Sequence, residues 1–308
     1  MTSLDLMRAA VPVFQPVDSP NIRSGFLSGE HRDTDEDGAN AGSAAAPPIS
    51  DFFKLFDTDG DGLVSFPEYV FFITLLSLPE RKVKSIFLQF DVDKNGGLDR
   101  AEFIDMMKTM RGSTSRGKAS GYRTGLMATN VDNLSSGLVH HFFGDPGVGQ
   151  HNLSLEQLEH FLHDLRSEID QLEFRHYDFT RVGSISVEDF GYSVVAGANV
   201  RRMQYFIDRC ARLTTSSGEG AGAKRVSRDQ FMAFGRLLKH GESRFEDKIK
   251  NHVRCGGTIS RAVFLKLAAE CGAALGEAQV DVLFSIFDVD NDGELSLQEL
   301  LEVVCRWD

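Results

Sequence analysis

DTDGDGLVSFPE, residues 57–68, puts carboxylates at its first, third and fifth positions, glycine at the sixth, an apolar residue at the eighth and glutamate at the twelfth. Each position has a physical job. A loop that wraps a hard divalent cation in oxygens at about 2.3–2.6 Å needs short inward side chains, a sharp turn, one backbone carbonyl and a long final carboxylate that chelates with both oxygens. Here Asp57, Asp59 and Asp61 supply the first ligands, Leu63 its carbonyl, Ser65 a contact through water and Glu68 the bidentate close. The same order recurs twice. Asp91, Asp93, Asn95, the Gly97 carbonyl, Asp99 and Glu102 form one further set, and Asp288, Asp290, Asp292, the Glu294 carbonyl, Ser296 and Glu299 another. Glutamate at every twelfth position favours calcium over magnesium, because it reaches the ion bidentately and supports a higher coordination number. Calcium is the expected cofactor.

Outward from each loop, the apolar residues fall at helical spacing. Ile49, Phe52, Phe53 and Phe56 precede the first loop and Tyr69, Phe72, Ile73 and Leu76 follow it. Val83, Ile86, Phe87 and Phe90 lead into the second, with Phe103, Met106, Met107 and Met110 behind it; Val280, Leu283, Phe284 and Phe287 lead into the third, with Leu300, Val303, Val304 and Trp307 behind. Helix, acidic loop, helix is the EF-hand. Aligning the eighth loop position finds weaker copies, so that Val64, Leu98, Leu153, Ile185, Val226, Ile259 and Leu295 mark a sevenfold repeat. The spacings 64 to 98, 153 to 185, 226 to 259 and 259 to 295 are those of adjacent paired hands. Nominal first positions in the middle four are Pro146, Asp178, Glu219 and His252, and these read as structural hands without calcium. Of them, only the Asp178 loop keeps a fragment of the ligand pattern, with Thr180, Gly183 and Asp189.

The expected fold class is therefore all-α: a two-lobed EF-hand protein with three calcium-competent hands and several degenerate ones. Residues 1–48 read as an N-terminal segment, a short helix and Pro-punctuated arm followed by a polar, Gly- and Ala-rich linker at 28–48; 49–208 read as the N-lobe and 209–308 as the C-lobe. A formal charge of −12 excludes nucleic-acid and anionic-membrane binding as the main business of the chain, since both need clustered Lys and Arg. The longest apolar stretch, Tyr69–Leu78, is far short of the roughly 18–20 residues that cross a bilayer, which leaves at most peripheral membrane association. No targeting leader is legible after Met1. Cys210, Cys255, Cys271 and Cys305 show no C-x-x-C pairing and indicate neither a zinc site nor a disulfide framework.

Other signals are weaker. His160 and His163 have metal-ligand spacing, but the stripe Leu158, Phe161, Leu162, Leu165 turns them outward. Gly144, Gly147 and Gly149 lack the Lys-Ser/Thr ending of a phosphate loop, and no nucleophile elbow, H-E-x-x-H or kinase signature is present, so no catalytic residue is expected. Met106, Met107 and Met110 suit either a calcium-exposed groove or core filling. The stretch 103–130, with Lys108, Arg111, Arg116, Lys118 and Arg123 against Asp105, is a solvated linker or an acidic-partner surface. The first exiting helix is apolar nearly all round and requires cover on two sides.

Four stretches resemble the mitochondrial calcium uptake (MICU) family, most closely its plant branch: Asp5–Phe14 (DLMRAAVPVF), Phe66–Glu80, Phe142-Phe143-Gly144 and Leu165–Tyr177 (LRSEIDQLEFRHY). The resemblance covers most of residues 5–306. It implies a calcium-sensing subunit of the mitochondrial intermembrane space that sits over the pore subunit of the mitochondrial calcium uniporter at resting calcium and yields when calcium binds. Three working loops match the plant branch, whereas animal relatives have a degenerate hand where Asp57–Glu68 lies. Animal members follow Phe-Phe-Gly with basic residues that face the pore; Asp145, Pro146, Gly147, Val148 and Gly149 stand here instead. The family also implies a homo-oligomer, a dimer, with Cys305 a loose positional candidate for a disulfide.

Overall fold

The structure, a computed structural model, describes residues 11, 13, 14, 16, 55–56, 66–78, 80–113, 137–144, 152–196, 202–216, 224–239, 243–255 and 258–304. The expected helix before Val11, the linker at 28–48, the first loop up to Ser65, the Gly-rich part of the basic stretch, residues 145–149 and Cys305 lie outside them. Helices dominate: α1 (Phe66–Leu76), α2 (Glu80–Phe90), α3 (Arg100–Ser113), α4 (Gly137–Phe143), α5 (Leu155–Tyr177), α6 (Val187–Val195), α7 (Met203–Ser216), α8 (Arg228–Phe234), α9 (Ser243–Arg254), α10 (Arg261–Glu270), α11 (Glu277–Phe287) and α12 (Leu297–Val304). A π turn, Gly235–Lys239, extends α8. No described helix is long and apolar enough to cross a membrane.

Two apolar cores meet along α5. The first gathers Phe56, Phe72, Phe87, Phe103, Met106, Met107, Leu153 and the first half of α5 through Leu172. The second begins at Phe174 on the same helix and gathers Phe190, Phe206, Phe231, Phe234, Phe264, Phe284 and Phe287. Helix α5 is the exiting helix of the Leu153 hand and the entering helix of the Asp178 hand, so one continuous element belongs to both lobes. The expected division after residue 208 instead falls inside α7, whose Phe206 and Cys210 are fully buried in the second core. Met106 and Met107 fill the first core and form no open groove. Helix α1 finds its two covers in α3 and α5, within the chain.

A short arm crosses the junction. Val11 is buried in the first core, Val13 touches both, and the Phe14 ring lies 5.6 Å from that of Tyr192 in the second. The Phe14 N–H donates to Tyr177 Oη at 3.1 Å, and His176 Nε2 donates to the Phe14 carbonyl at 2.8 Å. Two stretches that carry the family resemblance, 5–14 and 165–177, thus meet at one place. A third, Phe142-Phe143, packs edge-on against Phe161 and tilted against Phe103 in the first core.

Short antiparallel ladders join the hands in pairs. β1 (Gly97–Leu98) pairs with β2 (Leu153–Ser154), β3 (Ser184–Ser186) with β4 (Arg225–Ser227), and β5 (Ile259–Ser260) with β6 (Glu294–Leu295). This corrects the pairing inferred from spacing. Leu98 pairs with Leu153, and Ile185 pairs with Val226. Only the 259/295 pairing agrees. The three described ladders join the second hand to the third, the fourth to the fifth and the sixth to the seventh. The long insertion between Ser113 and Gly137 does not prevent this, because loop-closure entropy grows only logarithmically with length.

Candidate metal centres

Each of the two described calcium loops is shaped by hydrogen bonds from its backbone to its first aspartate. Asp91, buried, accepts from the Asn95 N–H on Oδ1 and from the Gly96 N–H on Oδ2, both at 3.1 Å. Asp288, also buried, accepts from Asp292 at 3.2 Å and from Gly293 at 2.9 Å in the same way. The turn this requires runs through the left-handed region at positions four and six: Lys94 (φ 57) with Gly96 (φ 83), and Asn291 (φ 57) with Gly293 (φ 85). Gly97, at position seven, is glycine for a different reason. A Cβ there would lie 2.8 Å from Asn152 Cβ beside the paired strand, so the ladder excludes a side chain.

The twelfth-position glutamate is placed by a helix cap. Asp99 Oδ1 accepts the Glu102 N–H at 2.8 Å while Glu102 Oε2 accepts the Asp99 N–H at 3.0 Å; Ser296 and Glu299 repeat this at 3.2 and 2.9 Å. This reciprocal capping box turns the carboxylate back over the loop. Its other oxygen accepts from position two, Val92 to Glu102 at 2.9 Å and Val289 to Glu299 at 2.8 Å.

The result is two clusters of oxygens. Ligand atoms of Asp91, Asp93 and Glu102 lie within 4.8 Å of one another, as do those of Asp288, Asp290 and Asp292. Asp99 and Ser296 serve as caps in this geometry, while Glu68, the described member of the first set, is buried at the start of α1. Crowded carboxylates repel. At Asp290 the Asp292 N–H pulls the carboxyl down, but desolvation and repulsion from Asp292 and Glu299 leave it above the ordinary value. At Glu299 burial pushes up, and hydrogen bonds from Ser296 and Val289 outweigh it, holding the carboxyl below the ordinary value. Hard oxygens, no sulfur or imidazole, and a preformed turn suit a divalent cation of calcium's size.

Three EF-hand family models match: an EF-hand domain pair over residues 256–306, which are the two hands joined by β5 and β6, an EF hand domain over 82–110 and an EF hand over 49–73. Across nearly the whole chain, 99%, the sequence is 38% identical to the Arabidopsis thaliana protein "Calcium uptake protein, mitochondrial". Over nearly its whole length the chain is similar to a mitochondrial calcium uptake protein. It covers 59% of that relative; with the Homo sapiens "Calcium uptake protein 1, mitochondrial" it is 26% identical over 83% of the chain and 52% of the relative. The chain thus spans between half and three-fifths of these relatives' length. Among solved structures, EFHA2 in its calcium-binding state superposes with a TM-score of 0.58 at 23% identity, covering 78% of this chain and 73% of EFHA2. The apo mitochondrial calcium uniporter protein MICU2 superposes at 0.56 and 21%, covering 83% and 74%. These show the two-lobed EF-hand fold, and the EF-hands of this chain bind calcium.

Two of the remaining hands keep the cap without the charge. Gln157 and Gln230 occupy position twelve, and both complete capping boxes, with Ser154 and Ser227. This S-x-x-Q signal is present in the sequence, and it places a neutral side chain in the capping position that glutamate holds in the calcium loops. The loop at His252 is closed from within, His252 Nε2 donating to the Thr258 carbonyl at 3.1 Å. As expected, His160 and His163 are exposed on the outer face of α5, with His160 paired to Asp164.

The Asp178 loop is the instructive case. Its backbone copies the working loops: Asp178 accepts from Val182 at 2.9 Å and Gly183 at 2.8 Å, with Arg181 (φ 58) and Gly183 (φ 82) left-handed. Position five, however, is Val182, 66% exposed and without an oxygen, and position twelve is Asp189, one methylene short. Position seven is already taken. The Ser184 carbonyl accepts from Arg225 Nη2 at 2.5 Å, across the ladder, and Ser184 Oγ accepts from Arg225 Nε at 2.8 Å. A guanidinium therefore sits on the carbonyl that a metal would use. The combined substitution V182D/D189E/R225A is expected to add one bound calcium per chain in a titration calorimetry experiment, while V182D/D189E with Arg225 retained binds at least about tenfold more weakly. Equal binding by the two variants would show that Arg225 does not silence the loop.

Proposed function

We propose that the chain is a calcium-sensing regulatory subunit of the mitochondrial calcium uniporter, acting in the intermembrane space by binding and not by catalysis. The calcium ligands are Asp57, Asp59, Asp61, Leu63, Ser65 and Glu68; Asp91, Asp93, Asn95, Gly97, Asp99 and Glu102; and Asp288, Asp290, Asp292, Glu294, Ser296 and Glu299. The observation that carries the reading is the placement of the two described loops. They lie in different lobes, one on each side of α5, and each is laddered to a hand that lacks the ligand set. Calcium at such positions biases the arrangement of two bodies sharing one helix. The names of the relatives in Arabidopsis and animals supply the process, and MICU2, similar in fold, is named as a protein of the mitochondrial calcium uniporter. The dimer implied by the family would bring two such pairs of lobes to one channel.

Calcium flux through a reconstituted uniporter tests the proposal. Wild type is expected to suppress flux below about 10⁻⁷–10⁻⁵ M calcium, the range of sensor hands, and to release it above. The Glu68→Gln, Glu102→Gln, Glu299→Gln combination is expected to suppress flux at all calcium levels. No effect of the wild type at low calcium contradicts channel gating. Burial of Met106 and Met107 favours a second reading, a calcium buffer or a sensor for another partner. A buffer would bind calcium with no increase in the fluorescence of a dye that reports apolar surface.

A further inference from the structure

We propose that Arg209 is a positioning residue for the calcium loop at 288–299, an inference that rests on the reading of that loop as a calcium site. Arg209 belongs to neither helix of that hand. It stands on α7, the entering helix of the silent Val226 hand, and reaches across. Its Nε donates to the Ser285 carbonyl at 2.7 Å, its Nη2 to Asn291 Oδ1 at 2.7 Å and its Nη1 to Tyr205 Oη at 2.8 Å. The guanidinium also lies 5.5 Å from the centre of the Tyr205 ring. Its orientation is fixed on three sides.

The two loop contacts are at points of stress in the calcium-binding geometry. Ser285 is near the end of α11, where continued helix would bring the Val289 N–H to the Ser285 carbonyl. That N–H instead donates to Glu299 Oε1. Folding the Glu299 carboxylate over the loop thus leaves the Ser285 carbonyl without its helical donor, and Arg209 supplies the replacement. Asn291, at position four, holds the left-handed turn between Asp290 and Asp292, and Arg209 grips its side-chain oxygen. One side chain therefore stabilises both departures from regular backbone that bring Asp288, Asp290 and Asp292 together. Among the described residues, the loop at 91–102 has no counterpart of this clamp at Leu88 and Lys94.

Charge works in the opposite sense, since a cation beside four carboxylates repels calcium. The exposed setting screens that repulsion, whereas the geometry of the three bonds is not screened. Positioning therefore dominates, and the clamp links calcium at 288–299 to α7, which packs on α6 beside the Asp178 loop.

The test uses the full chain carrying Glu68→Gln and Glu102→Gln, so that calcium titration calorimetry reports the last loop alone. In this background Arg209→Met and Arg209→Lys are each expected to weaken calcium binding about tenfold, because lysine keeps the charge but cannot reproduce the fork. Amide exchange at residues 289–293 in the calcium-free protein is expected to accelerate in both. Asn291→Gly, which adopts the turn without the clamp, is expected to add little to Arg209→Met. Unchanged or tighter binding in Arg209→Met, or full affinity in a folded Arg209→Lys, overturns the proposal. A background protein that takes up no calcium overturns the reading of the loop and the proposal with it; uptake indifferent to position 209 overturns the proposal alone.

Discussion

Glu102→Gln and Glu299→Gln are each expected to lower calcium affinity at their own loop by about two orders of magnitude, with only a small loss of stability in the calcium-free protein. The affinity of such loops is set by the number of charged ligands, and the twelfth position supplies both oxygens of one carboxylate. Stability is the sharper half of the expectation. The chain contains its own control in Gln157 and Gln230, which stand at the same position in silent hands and complete the same capping box. A glutamine at 102 or 299 therefore keeps the cap with Asp99 or Ser296 through its one amide oxygen, and loses the charge and the second acceptor that takes the Val92 or Val289 N–H. Titration calorimetry checks the first half and thermal melting without calcium the second. A calcium-free melting temperature well below wild type would mean that the glutamate holds the hand through more than its cap and its one further hydrogen bond.

The second large effect is expected at Gly235, where α8 passes into its π turn. A Cβ at this position would lie 2.2 Å from Asp170 Oδ2 and 2.8 Å from Asp170 Cγ. Asp170 is on α5, 1% exposed, between Ile169 of the first core and Phe174 of the second. Its carboxylate has no route to solvent. Gly235→Ala must displace either the short buried side chain or the helix itself, and overpacking of this kind costs about 3 kcal/mol. The expected readout is a melting temperature lower by several degrees, together with faster amide exchange along α5 and α8. Asp170→Ala in the same protein would not remove the deficit, because it strips a buried polar group from its surroundings. A Gly235→Ala protein with wild-type stability would mean that α5 and α8 are less closely apposed.

Most of the working site was legible before the structure. The ligand pattern fixes the turn through Gly96 and Gly293, and helical stripes such as Val280, Leu283, Phe284 and Phe287 turned inward as their spacing requires. Pairing was not legible. Every described hand offers the same short strand around position eight, so spacing alone cannot choose between Leu98 with Val64 and Leu98 with Leu153. The choice is made by three-dimensional packing on α5. For the same reason the lobe boundary was misplaced: nothing in the periodicity of residues 155–177 tells a helix shared by two cores from one buried in a single core. Arg225 and Arg209 were equally hidden. Each acts across from one hand to another, and a side chain's reach to a distant carbonyl has no signature in local sequence. The S-x-x-Q pattern at Ser154 and Ser227, by contrast, was there to be read.

Calcium sensing of the kind proposed requires that calcium at two loops on opposite sides of α5 move the lobes. The arm through Val11, Val13 and Phe14 ties the junction to His176 and Tyr177, directly before Asp178, so a change in either lobe must act against this tie. Small-angle X-ray scattering of the calcium-free and calcium-loaded protein measures the outcome, with the Glu68→Gln, Glu102→Gln, Glu299→Gln combination alongside. The two wild-type profiles are expected to differ and those of the combined variant to superimpose. Superimposing wild-type profiles, with calcium bound, would contradict a calcium-driven rearrangement of the lobes.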